Sequence, residues 1–138
     1  MMVASALAAI FVALALLHFF WAAGGGAGVD GFVPSDDGRP LFTPGPIASV
    51  AVGVALLAAA LVVTCRAGLF CLGLPAWMAR VGIWVIALLF AARAVGDFRY
   101  AGFFKRVRGT RFARRDTWIF SPLCVAIAAL AAAVGLAS

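Results

Sequence analysis

Apolar and polar positions in this chain are sorted into long blocks rather than alternating at a helical or strand period. Residues 3–23, 47–65 and 118–136 hold no Lys, Arg, Asp or Glu, and 75–96 holds only Arg80 and Arg93, near its ends. One bilayer crossing takes roughly 20 mostly apolar residues, and each block comes close to that length. A helix of a water-soluble bundle would carry a polar stripe along one face; these blocks show almost none. The pattern predicts an all-α fold, an integral membrane four-helix bundle forming a single transmembrane domain over 1–138. Its helices are expected at about 3–23, 47–65, 75–96 and 118–136, the third extending to 104 if it passes Gly96. The fourth can instead start at Pro122, which would leave 122–138 at the short end for a crossing. The first connection, 24–46, is long and rich in Gly and Pro; the third is basic and aromatic.

Composition agrees, with 66% hydrophobic and 12% charged residues against about half and about a quarter in soluble domains. The first block is not expected to be a signal peptide. No Lys or Arg precedes it, and it outruns the roughly 7–15-residue apolar core of such a peptide. It is read as an uncleaved helix. The net charge of +6 is unevenly placed. Arg39, Arg99, Lys105, Arg106, Arg108, Arg111, Arg114 and Arg115 lie in the first and third connections, while the opposite side holds only Arg66 and Arg80. The positive-inside rule then puts loops 1 and 3 in the cytoplasm and both termini outside.

Several familiar chemistries are excluded. Cys65, Cys71 and Cys124 form no C-x-x-C pair and have no His cluster beside them, so neither thiol-redox nor metal chemistry is expected. A Cys65–Cys71 bridge is available if their loop faces an oxidising compartment, but the plainer expectation is small apolar residues at a membrane boundary. Gly26–Gly31 matches G-x-G-x-x-G literally. That motif needs a strand before it and a helix after it, and here a membrane helix precedes, so the match is coincidence. No metal ligand set, cofactor motif or catalytic set is read from the chain. Ala51, Ala55 and Ala59 form a small-residue row that permits close helix contact, inside the bundle or with a second copy in a homo-oligomer.

The candidate site is a convergence of polar residues at one membrane face. Arg93, Asp97, Tyr100 and Phe104 share one face if helix 3 continues, and the plainest role for Arg93 is a pair with Asp97 one turn away. Ionisable groups at membrane depth are costly and usually meet a partner or a wet cavity. His18 lies roughly 7 Å inside the end of helix 1, with Trp21 on the same face and suited to the interfacial belt. Arg39 in loop 1, Asp116 before helix 4, and Ser121, which can cap a helix starting at Pro122, lie on the same side by topology. These eight, His18, Trp21, Arg39, Arg93, Asp97, Tyr100, Asp116 and Ser121, are the expected ligand-binding residues. Lys105, Arg106 and Arg108 are expected to meet anionic lipid while Phe98, Tyr100, Phe103 and Phe104 dip into the headgroup boundary. A basic-aromatic run can also bind nucleic acid, but inside a membrane protein lipid is the expected partner.

The motifs His18-x-x-Trp21-Ala, Arg93-Ala-Val-Gly96-Asp97-Phe98-Arg99-Tyr100-x-Gly102-Phe103-Phe104-Lys105, Phe112-x-x-x-Asp116 and Ser121-Pro122-Leu123-Cys124 resemble a bacterial membrane-protein family known as domain of unknown function 3995. The resemblance implies four transmembrane helices and a bacterial plasma-membrane location, and it brings no activity with it. The function expected from the residues is binding of an anionic lipid or amphiphile at the cytoplasmic mouth of the bundle. The alternatives are a small transporter or channel with a proton path through His18 and Asp97, and a structural or accessory subunit. An enzyme is a further reading, not the favoured one, with His18 and Asp97 or Asp116 offering acid–base chemistry on a lipophilic substrate.

Overall fold

The computed structural model describes residues 1–25, 32–37 and 39–137. It contains helices α1 (Met2–Ala22), α2 (Pro46–Arg66) and α3 (Ala76–Val95), and a fourth crossing over Arg111–Ala137. That crossing is built from α4 (Arg111–Arg115), one π-helical stretch (Asp116–Phe120) and α5 (Ser121–Ala137). In the first connection, β1 (Ser35–Asp36) and β2 (Arg39–Pro40) pair antiparallel, Ser35 opposite Pro40 and Asp36 opposite Arg39. The stretch Gly26–Gly31, including Asp30, lies outside the described residues.

All four crossings are long and apolar enough to span a membrane. Leu7 and Phe11 of α1, Val63 of α2, Ile83 of α3 and Ile127 of α5 form the fully buried centre. The outward faces are equally apolar: Trp77, Val81, Leu88 and Leu89 of α3 are all exposed. Water would penalise that arrangement at about 25 cal/mol per Å², whereas lipid does not, which is why no polar stripe marks the helices. α1 packs chiefly on α2, and α3 chiefly on α5. The buried residues of α2 include the small Ser49, Gly53 and Ala60, and α1 comes close at Gly53, where a Cβ would stand 2.5 Å from the Phe19 ring. Ala51 and Ala55 are exposed instead, so their row is not the surface that makes this contact.

Three local expectations are corrected. α3 does not run on to 104. It stops at Val95 because Gly96 turns to φ 89°, a conformation that a glycine reaches without a Cβ penalty. The Asp97 carboxylate then accepts the N–H groups of Arg99, Tyr100 and Ala101 and so competes with helix continuation. The fourth crossing starts before either expected point, where the Thr110 side chain caps Ala113 N–H at 3.0 Å. It passes through Pro122 without a break. The Ser121 N–H reaches back five residues to Asp116, and that wider turn makes room for a proline that has no N–H and crowds the carbonyl four residues back. At the far end, Cys65 and Cys71 form a disulfide rather than standing as separate boundary residues. The turn after α2, with Gly68 at φ 68°, brings their Cα atoms to 4.4 Å.

Candidate functional site

The chain at the end of α3 folds back on itself and is held by one carboxylate. Asp116 is fully buried. Its Oδ1 accepts from Arg93 Nη2 at 2.9 Å, and its Oδ2 accepts from Gly102 N at 2.7 Å and Lys105 Nζ at 3.0 Å. Lys105 also donates to the Gly102 carbonyl at 3.0 Å and Thr117 Oγ1 at 2.6 Å. The ammonium thus uses all three donors. The close approach that permits this comes from two glycines. A Cβ on Gly96 would overlap the Ala101 carbonyl, and one on Gly102 would overlap the Val95 carbonyl. Further out, the Ala101 N–H, followed by those of Arg99 and Tyr100, holds the Asp97 carboxyl below the usual carboxylate range.

Beside this knot lies a pocket of about 330 Å³ lined by all four crossings and by Phe32. Its walls are Leu14 and Leu17 of α1, Val52 and Leu56 of α2, Phe90 of α3, and Phe112, Phe120, Leu123 and Ile127 of the fourth crossing. Its polar lining is His18, Trp21, Arg93 and Cys124. His18 Nδ1 donates to the Leu14 carbonyl at 2.8 Å, which leaves Nε2 as the acceptor of the neutral ring. Trp21 meets His18 edge-on at 5.1 Å and Phe32 at 4.7 Å, and Phe32 meets Phe120 at 5.1 Å. A second cavity of about 390 Å³, walled by Val33, Phe42, Pro44 and Ala48, shares His18, Trp21, Phe32 and Val52 with the first.

Two donors of the pocket lining are buried and reach no acceptor among the described residues: Trp21 Nε1 and Arg93 Nη1. At formal charges for neutral pH, the Arg93–Asp116–Lys105 triad carries two positive groups and one negative. Lys105 is saturated and both Asp116 oxygens are taken. The triad therefore keeps one net positive charge, shared between Arg93 and Lys105, and of the two cations it is Arg93 that lines the pocket, with its side chain 36% exposed.

The predicted site residues are divided by this geometry. His18, Trp21 and Arg93 line one pocket. Asp116 is a buried hub, and Arg93 pairs with it rather than with Asp97. Asp97 lines a separate surface cavity of about 510 Å³ with Arg99 and Arg106. Tyr100 makes a long 3.5 Å contact from its hydroxyl to Asp36, and Arg39 is exposed on β2; neither lines the pocket. Ser121 caps nothing. It lies inside the fourth crossing with its Oγ buried and without a protein partner. Lys105, expected at the lipid surface, is 2% exposed, because Asp116 offers a buried ammonium the counter-charge that water would otherwise supply; Arg106 and Arg108 are exposed as expected. Phe32 escaped notice because a lone Phe in a Gly-rich loop carries no periodic signal. Among the described residues, no three His, Cys, Asp or Glu side chains converge as metal ligands.

No curated protein and no solved structure matches the chain. The motif from Arg93 to Lys105, which folds into the knot around Asp116, lies within a family likeness that extends over most of the molecule. With residues 11–131 matched, the chain belongs to the family described as protein of unknown function (DUF3995).

Proposed function

We propose that this multi-pass membrane protein is a binding module for an anionic lipid or amphiphile, taken up in the pocket at the loop 1 and loop 3 end of the bundle. The observation that carries this reading is a pair of buried donors without acceptors among the described residues, Trp21 Nε1 and Arg93 Nη1, in a largely apolar lining. Ligand pockets combine largely apolar walls with a few orienting polar groups, and a guanidinium recognises an oxyanion strongly in such surroundings. His18, Trp21 and Arg93 form the binding group, and Asp116 positions Arg93. Arg106 and Arg108 meet anionic headgroups at the surface.

The same reading places loops 1 and 3 in the cytoplasm of a bacterial cell. Eight of the basic residues in those loops support that orientation. So does the Cys65–Cys71 disulfide on the opposite side, since disulfides persist in oxidising compartments. A second copy packing on the exposed Ala51 and Ala55 is compatible with this arrangement.

Native mass spectrometry of wild type beside Arg93→Ala tests the proposal. This variant is expected to fold, because Asp116 keeps Lys105 as its counter-ion. An anionic amphiphile retained by wild type and lost from folded Arg93→Ala supports binding. The competing reading, a structural subunit, is favoured by the internal saturation of Lys105 and Asp116. A bare wild type with an Arg93→Ala variant that fails to fold would decide for that reading.

A further inference from the structure

Resting on that reading, we infer that the amphiphile is a single-chain carboxylate, a free fatty acid, rather than a phospholipid. The net positive charge of the triad and the two donors without acceptors, Trp21 Nε1 and Arg93 Nη1, suit a singly charged oxyanion with two free oxygens, carboxylate or phosphodiester alike. The rest of the lining and the volume decide between them. Beyond these, the lining offers only the His18 ring and the Cys124 thiol as polar groups. The glycerol and paired esters of a phospholipid would therefore lie against Leu14, Leu56, Phe90 and Leu123 with their polar atoms unsatisfied, at the penalty that buried polar groups carry. A volume of about 330 Å³ also lies at the small end of ligand pockets, which suits one narrow chain. The adjoining cavity, which shares Val52 and Phe32 and is lined also by Thr43 and Ser49, adds mostly apolar wall for the tail.

Trp21 is a built-in reporter. A variant carrying Trp77→Phe, Trp84→Phe and Trp118→Phe keeps Trp21 as its sole tryptophan. In neutral detergent at mildly alkaline pH it is titrated with dibromostearate, with the methyl ester of dibromostearate, and with a phosphatidylglycerol bearing dibrominated chains. Bromine quenches indole only at close range, so the expected result is saturable quenching by dibromostearate. The ester and the phospholipid should bind roughly tenfold more weakly or worse, the factor associated with one charge-assisted hydrogen bond. Arg93→Gln should abolish the preference for the acid over its ester. Val52→Phe, which narrows the pocket without touching the triad, should weaken saturable quenching by a similar factor and serves if Arg93→Gln does not fold. Tightest binding by the phospholipid overturns the carboxylate inference and leaves the anionic-amphiphile reading standing. Equal quenching by acid and ester, or no saturable quenching by any probe, overturns both.

Discussion

Asp116 is the residue whose loss should do most damage. It is fully buried and is the only carboxylate that Lys105 touches among the described residues. Asp116→Ala would leave an ammonium with 1% side-chain exposure and no counter-charge. Breaking a buried pair by removing one partner costs about 3–5 kcal/mol. We expect Asp116→Ala to lower the midpoint of thermal unfolding in detergent sharply, and the double variant Asp116→Leu with Lys105→Met to recover much of that loss, since apolar replacement of a whole buried pair is often neutral. A double variant no better than Asp116→Ala would show that the Gly102 and Arg93 contacts, not the buried charge, matter most. From sequence, Asp116 was a candidate ligand-binding residue and Lys105 a lipid-surface one. The basic run around Lys105 looks uniform, and nothing in its order distinguishes the cation that turns inward from Arg106 and Arg108, which do not.

At the scale of elements, the return of the chain after α3 depends on glycine twice over. Gly96 and Gly24 have nearly the same backbone angle, φ 89° and φ 93°, yet a Cβ at Gly24 meets nothing within 4 Å while one at Gly96 overlaps backbone. Gly24→Ala should therefore show only the conformational penalty of about 1 kcal/mol. Gly96→Ala adds a clash that neither α3 nor the 97–102 turn can relieve, and should cost roughly 3 kcal/mol or more. Urea or thermal unfolding of the two variants in one detergent measures the difference, and equal losses would sink the account. The existence of four apolar helices was readable because length and absence of charge suffice for it. The ends of α1 and α2 were readable to within a residue; the course of the chain past Gly96 and the start of the fourth crossing were not. Gly96 can sit inside a helix or end one, and what ends α3 is an Asp97 turn held against the fourth crossing. Likewise, Pro122 reads as a helix start until a π-helical turn is seen to carry the helix past it.

At the scale of the whole molecule, orientation is open to direct measurement. With loops 1 and 3 cytoplasmic, the Cys65–Cys71 bridge faces the outside. In intact cells a membrane-impermeant reductant followed by an impermeant maleimide should label both cysteines. An Arg106→Cys variant on a cysteine-free background should label only after permeabilisation, and the reverse pattern would invert the topology. The sequence by itself determined the membrane-spanning class, the helix count and the gathering of basic charge at one end, because these depend on the apolar content of contiguous segments and on sums of charge. It also named His18, Trp21 and Arg93. Only the tertiary structure decided that these three line one pocket while Asp97, Tyr100 and Arg39 stand apart, that Asp116 binds Arg93 and Lys105 together, and that Cys65 meets Cys71. Those are pairings between segments distant along the chain or folded by tight turns. Two positive groups competing for one carboxylate find their arrangement from the space that Gly96 and Gly102 leave, which no count of residues contains.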